Sequence, residues 1–329
     1  MQQMLGRLAL AGIAVLGAAC SDAGTGDRSA PTSPSALREH DRSALGSKFV
    51  FVSSRDMPTA SSFISLELYA SNGDGTNPTR LTNNAFSEYF PTWSPNGHEI
   101  AFESNELNAP LNIRDLYIMR DDGTERRFLT PGSAATWSHN GQQLAFHAAA
   151  SLAPGDTDIF VIDADGTGRT NLTNHAGQDT DADWSPNGRK ILFTSRRING
   201  KTQNIYVMNA DGSDVTRLSF NATGEDAAPD WSPNGQRIAF ARRGVPEHQR
   251  YEIYTMNADG TDVTRLTFNA VPDATPSWSP DGKQIAWHSG GSGEPQIHIM
   301  NADGSDQHQV TMPPGRNQYV NWGNGHLDK

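Results

Sequence analysis

The residues best placed to do chemistry are carboxylates held in phase with a recurring tryptophan. Counting five residues back from Trp93, Trp137, Trp184, Trp231, Trp278 and Trp322 gives Glu88, Gly132, Asp179, Asp226, Asp273 and Asn317, four of the six acidic. Asp181, Asp183, Glu225 and Asp230 lie close by in sequence. Tyr89, Phe90 and Tyr319 share the same segments, and Arg316 brings the opposite charge. Three chemistries fit this pattern. Each carboxylate can cap backbone N–H groups of its own turn, as Asp readily does. Asp179, Asp226 and Asp273 can together hold a hard cation such as Ca²⁺, which takes several oxygen ligands. The acidic, aromatic-flanked set can instead dock a basic segment of a partner protein, where aromatic and Arg anchors are common. The second and third readings are compatible.

These residues are positioned by a repeat. The steps between the tryptophans are 44, 47, 47, 47 and 44 residues. A period in the forties suits a four-stranded propeller blade. Trp184 is followed by Ser185-Pro186-Asn187-Gly188, the apolar Ile191-Leu192-Phe193, then Ile205-Tyr206-Val207-Met208 and Asn209-Ala210-Asp211-Gly212. Pro-Asn-Gly and Asp-Gly between apolar runs are turn and hairpin signals. One repeat therefore predicts four antiparallel strands, a to d, with strand a ending at the tryptophan. The last copy stops soon after Trp322, and the first begins at the b-like run Phe49-Val50-Phe51-Val52. One blade is thus expected to take strand a from the C-terminus and b, c and d from the N-terminal segment. Closure removes the open sheet edge. The expected fold is all-β, a six-bladed propeller over residues 47–325, with the six tryptophans packed between blades as structural residues.

In such a ring the a–b and c–d turns share one face, and the d–a and b–c loops share the other. The turns are short and stereotyped, whereas the loops vary, and function tends to sit on variable loops. The phased residues Glu88, Tyr89, Asp179, Asp181, Asp226, Asp273, Arg316 and Asn317 are therefore expected around the channel mouth on the loop face.

Other chemistries are thinner. Asp163-Ala164-Asp165-Gly166 begins like a calcium loop, but its glycine comes too early and no glutamate closes it. His147 and His288 occupy equivalent strand-b positions, and His175 lies in a d–a loop. Together with channel carboxylates they are the candidates for a metal-dependent carbohydrate-active enzyme, a lyase or hydrolase. No Gly-x-Ser-x-Gly elbow occurs. No catalytic residue is assigned, and a non-enzymatic protein is expected.

The net charge of −11 and the lack of a basic cluster disfavour nucleic acid. Arg7 precedes an apolar stretch from Leu8 to Gly17 that ends in small residues before Cys20, the single cysteine. That is a secretory signal pattern, too short for a membrane span. Leu16-Gly17-Ala18-Ala19-Cys20 resembles a bacterial lipoprotein signal, although its leucine sits one place early. It implies removal of residues 1–19 and acylation of Cys20; an ordinary cleaved signal is the alternative. Residues 20–46 are rich in Ser, Ala, Asp, Gly and Pro and are expected to form a flexible tether. No thiol remains in the propeller for a disulfide or a zinc–thiolate site.

The text Trp-Ser-Pro-(Asn/Asp)-Gly, then Ile-Ala-Phe, then Met-Asn-Ala-Asp-Gly-(Ser/Thr), resembles the propeller repeats of the TolB family over about 280 residues. The resemblance implies a six-bladed propeller of the bacterial envelope that works by binding protein. The family's translocation protein carries an α/β domain before its propeller. Only a short tether stands in that place here, which points to a TolB-like chain with a different role. The expected protein is a monomeric, lipid-anchored scaffold with a protein partner. Its only membrane contact is the anchor. Ser21 after the cysteine suits the periplasmic side of the outer membrane, by resemblance to other lipoproteins.

Overall fold

The computed structural model describes residues 47–56, 65–106, 114–150, 155–198, 200–246, 248–290 and 294–323. The signal segment, Cys20 and the tether lie outside them.

The five a–b turns are built by a shared Ser-x-(Asn/Asp)-Gly text. Ser185 Oγ accepts the Lys190 N–H at 2.9 Å, and Asn187 Oδ1 accepts the Arg189 N–H at 3.0 Å. Each c–d turn is an Asx turn. Asp211 Oδ1 accepts both the backbone N–H and the hydroxyl of Ser213, at 3.0 and 2.6 Å. Asp74, Asp122, Asp165, Asp259 and Asp303 repeat this with a Thr or Ser two places on. Gly212 completes the turn at φ 87°, and a Cβ there would meet the Leu172 carbonyl oxygen at 2.7 Å. The recurrent Asp-Gly-(Ser/Thr) is therefore backbone chemistry rather than calcium binding.

The turns join strands into six four-stranded antiparallel sheets. The blade shared by both termini has β24 (Asn317–Gly323), β1 (Lys48–Ser53), β2 (Glu67–Asn72) and β3 (Thr79–Arg80). Blade 2 has β4 (Glu88–Trp93), β5 (Glu99–Ser104), β6 (Asp115–Arg120) and β7 (Arg127–Pro131). Blade 3 has β8 (Ser133–Trp137), β9 (Gln143–Ala149), β10 (Thr157–Asp163) and β11 (Thr170–Asn171). Blade 4 has β12 (Asp179–Trp184), β13 (Lys190–Ser195), β14 (Asn204–Asn209) and β15 (Thr216–Arg217). Blade 5 has β16 (Glu225–Trp231), β17 (Arg237–Arg243), β18 (Glu252–Asn257) and β19 (Thr264–Arg265). Blade 6 has β20 (Asp273–Trp278), β21 (Gln284–Ser289), β22 (Gln296–Asn301) and β23 (His308–Gln309).

The ring closes where the incomplete first and last repeats predict. β24 pairs with β1 from Phe49↔Trp322 to Ser53↔Asn317. Trp322 Nε1 donates to Ser47 Oγ at 2.6 Å, and Phe49 meets the Trp322 ring edge-on at 4.7 Å. Blade 2 deviates from the common pattern. Its fourth strand runs through Gly132 almost directly into β8, and this shortens the first tryptophan step. A Cβ on Gly132 would sit 2.5 Å from the Phe146 ring, which is why glycine stands where the other blades carry an acid or an amide.

The core consists of packets between blades. Trp137 packs with Leu116, Ile118 and Leu129 of blade 2 and with Leu144 and Phe146 of its own blade. Trp93 likewise joins Val50, Val52 and Leu68 to Ile100 and Phe102. All six tryptophans are buried, and burial of each aromatic ties two sheets together.

Candidate functional site: the channel mouth

The a strands of adjacent blades touch one another around the axis and form the innermost layer. Each begins at the loop face, four to six residues before its tryptophan. There Glu88, Asp179, Asp226, Asp273 and Asn317 are all 0 % exposed. Asp179 and Asp226 bind an arginine of their own blade, Glu88 and Asp273 an asparagine of the loop that enters from the preceding blade, and Asn317 groups in blades 1 and 6. Arg197 Nη2 donates to Asp179 at 2.9 Å. Arg242 grips Asp226 through Nε at 2.7 Å and Nη2 at 2.9 Å. Asn269 Nδ2 donates to Asp273 at 2.7 Å, and Asn84 Nδ2 to Glu88 at 2.8 Å. Asn317 Oδ1 accepts from Arg55 Nη2 at 2.9 Å. The five side chains thus pin strand a to the loops of its own and the preceding blade, and nearly all of their partners are side chains. Among the described residues, no group of three or more His, Cys, Asp or Glu side chains is placed to hold a metal ion.

The channel surface proper lies two residues further along. Phe90, Ala134, Asp181, Ala228, Thr275 and Tyr319, each three residues before its tryptophan, all adopt positive φ between 44° and 52°. The a–b register slips at the same place in every blade. Each innermost strand therefore carries a β-bulge centred on a non-glycine residue in the left-handed region. Such a conformation costs about 1–3 kcal/mol at each position and is held by the surrounding structure.

Side chains at the bulges meet across blades. Tyr319 and Phe90 lie 4.2 Å apart, and Tyr89 lies 6.1 Å from Tyr319. The Arg114 guanidinium stacks on Tyr89 at 3.5 Å and reaches Glu103 Oε2 at 3.5 Å. Glu103 Oε1 accepts the N–H of Ala134, the bulge residue of the next blade, at 2.6 Å. His288 pairs with Thr275 Oγ1 at 2.7 Å and meets the edge of Tyr319. On the other side, Asp181 Oδ2 accepts from Thr194 Oγ1 at 3.1 Å and from the Ala228 N–H at 3.3 Å. Blades 6, 1 and 2 thus present an aromatic and cationic wall. Blade 4 presents the Asp181 carboxylate and blade 5 the Ala228 methyl.

Burial sets the charge states. It pushes the Glu103 and Glu88 carboxyls up to about 7, against the pull of Arg114 on the first and the Asn84 hydrogen bond on the second. It lowers His288 to about 4, so that ring is neutral at pH 7. His147 is also lowered by burial, with Asp181 pulling the other way. Tyr319 is raised by burial to about 12.

One residue before each tryptophan, Thr92, Thr136, Asp183, Asp230, Ser277 and Asn321 form a polar belt. Asp183 Oδ2 accepts the Trp231 N–H at 2.8 Å, and Asp230 Oδ2 accepts the Trp278 N–H at 2.7 Å. Ser277 Oγ and Asn321 Oδ1 do the same for Trp322 and Trp93, both at 3.0 Å. Each is a latch from one blade to the next tryptophan. Burial raises Asp183 to about 7, and burial with the nearby Asp183 charge raises Asp230.

The remaining candidates separate. His147 and His288 stand in blades 3 and 6, three blades apart around the ring, and His175 lies in the loop after β11. The three ligands of the enzymatic alternative are not brought together. Arg316 is exposed beside Asn317, and its N–H binds Ser54 Oγ at 3.0 Å. Sequence reasoning missed Glu103 on strand b and Arg114 just before strand c, and it missed the bulge. The belt had a signal, since every residue before a repeat tryptophan is polar.

A family profile described as the TolB beta propeller domain matches residues 39–243 and 219–325. A TolB homologue of Chlorobium luteolum is 32 % identical over 164 residues, covering 48 % of this chain and 33 % of that protein. A Tol-Pal system protein TolB of Desulfosudis oleivorans is 32 % identical over 121 residues, covering 34 % of this chain and 25 % of its own. The chain thus spans about a third or less of the length of these curated relatives. The crystal structure of TolB from Acinetobacter baumannii superposes with a TM-score of 0.73 at 21 % identity, over 85 % of this chain and 67 % of that one. A chain of the crystal structure of a nidogen/laminin complex reaches 0.64 at 11 % identity, over 85 % of this chain and 100 % of that one, a likeness of fold alone.

Proposed function

The chain belongs to the TolB β-propeller family, and from that premise we propose that it is a protein-binding scaffold of the bacterial cell envelope, exported and held by a lipid on Cys20. The working surface is the loop face around the channel mouth. The observation that carries this reading is the contrast at the bulges. Six backbones of one conformation present five kinds of side chain, with Phe90, Tyr319, Tyr89 and Arg114 forming one wall. Aromatic and Arg groups in a concave, water-excluding site are typical anchors of protein interfaces. The opposite wall offers Asp181 to a basic group. Arg316 stands exposed at the rim. Glu88, Asp179, Asp226, Asp273 and Asn317 support the mouth from behind through their own partners.

Affinity capture from the source cell envelope tests the surface. A Phe90→Ala/Tyr319→Ala protein that stays folded should lose the partner that wild type recovers. Unchanged recovery would remove the mouth as the binding surface. Labelling with a palmitate analogue tests the anchor. Equal label on Cys20→Ser and wild type would refute acylation at that residue.

A further inference from the structure

Three blades share one device at the outer end of strand d. Arg80, Arg217 and Arg265 stand in equivalent register, opposite Tyr69, Tyr206 and Tyr254. Each donates its Nε to the main-chain carbonyl two residues on, at 2.7, 2.7 and 2.6 Å. The guanidinium is thereby fixed in one orientation. In blades 1 and 5 its Nη2 meets a carboxylate on strand c, Glu67 or Glu252, at 3.0 Å. Blade 4 holds Asn204 at that position, again two residues before the strand-c tyrosine. Among the described residues Arg217 has no carboxylate partner.

The vacancy extends beyond the arginine. Asn204 is 1 % exposed, yet neither amide atom has a hydrogen-bond partner. The buried Tyr206 hydroxyl is also unpartnered, whereas Tyr69 binds Asp56 and Tyr254 binds His248. Leaving such groups unmet costs about 1–3 kcal/mol each. Asp179 lies in the same row of the sheet and is neutralised by Arg197 at 2.9 Å. Two guanidinium groups therefore face one carboxylate, where blade 5 alternates Asp226, Arg242, Glu252 and Arg265. Beside the site Phe220 is 70 % exposed, with the Arg217 guanidinium 4.6 Å from its ring.

We propose that this end of blade 4 is a subsite for an external carboxylate, which accepts from the half-buried Arg217 guanidinium in place of the missing glutamate. The carboxylate comes either from an acidic side chain of a partner polypeptide, with Phe220 holding a neighbouring apolar group, or from a small free acid. The site is separate from the channel mouth, and neither depends on the other.

Titration of the folded protein with N-acetylglutamate amide and with acetyl-Phe-Glu-Phe-amide, followed by amide chemical shifts, tests it. Saturable shifts centred on blade 4 are expected. Asn204→Glu should fill the site from within, weaken both probes at least tenfold and raise Tm. Arg217→Gln should also weaken both. A tenfold preference for the tripeptide that vanishes in Phe220→Ala assigns the site to a polypeptide. Equal affinities assign it to a small acid. No saturable binding, or binding untouched by Asn204→Glu, overturns the subsite. Should Arg217→Gln fail to fold, Asn204→Glu decides alone.

Discussion

The layer one residue before each tryptophan and the layer three residues before it lie on the same six strands, yet they repeat in opposite ways. In the belt layer the chemistry recurs while the residue type drifts among Thr, Asp, Ser and Asn. Any short acceptor can catch the next tryptophan's N–H, and at least four do so directly. In the bulge layer the backbone recurs, at positive φ each time, while the side chains range from Ala to Asp to Tyr. A repeated interaction serves the ring. A repeated backbone with unlike side chains serves whatever enters the channel.

The largest effects should fall on the scaffold. Trp278 is buried between blades 5 and 6, and Trp278→Ala should lower unfolding stability by about 3–5 kcal/mol. Denaturant unfolding measures this. A loss below about 1 kcal/mol would show that the tryptophans do not join the blades. Next comes the latch. Ser277→Ala leaves the buried Trp322 N–H without its acceptor at 3.0 Å and should cost about 1–3 kcal/mol. A null effect would make the belt incidental, and the contrast between the two layers would fail.

The sequence showed the ring because its signals are local. Trp, Ser-Pro-Asn-Gly and Asp-Gly each shape their own few residues, so their phase survives in one dimension, and the shared blade followed from where the first and last copies break. The bulge was invisible because none of its six residues is glycine, the usual mark of positive φ. The carboxylates five residues before the tryptophans were found, but their surroundings were not. Arg197 and Arg242 reach theirs across a hairpin, 18 and 16 residues on, whereas Asn84 and Asn269 both stand four residues before their acids, a regular spacing that the sequence does carry. Charge in a repeat shows where a group sits in the blade and not what neutralises it.

A pH series sharpens the belt. Asp183 is raised to about 7 by burial, against about 4 in an unfolded chain. Between those values the native protein keeps a proton that the unfolded chain has released. The stability tied to that proton is complete below pH 4 and is lost as pH rises toward 7. Asp183→Asn keeps an acceptor for the Trp231 N–H and has no such proton. Relative to wild type, its stability should therefore climb with pH across this window, by at most about 1.4 kcal/mol per pH unit. A difference that is flat in pH would mean that Asp183 stays ionised throughout.

The smallest effect is the most pointed, because it separates backbone from side chain. Ala228 sits at φ 48° in a bulge, whereas Ala239 sits in β17 and is fully buried. Ala239→Gly should cost roughly 1–2 kcal/mol, from a lost methyl group and a freer unfolded chain. At Ala228 glycine frees the chain equally but removes the steric penalty of the left-handed conformation, about 1–2 kcal/mol. The two terms offset, so Ala228→Gly should leave stability within about 1 kcal/mol of wild type, on either side. Equal losses at the two sites would mean that the bulge relaxes to ordinary β geometry in solution, and the channel would then lack the one backbone feature common to all six blades.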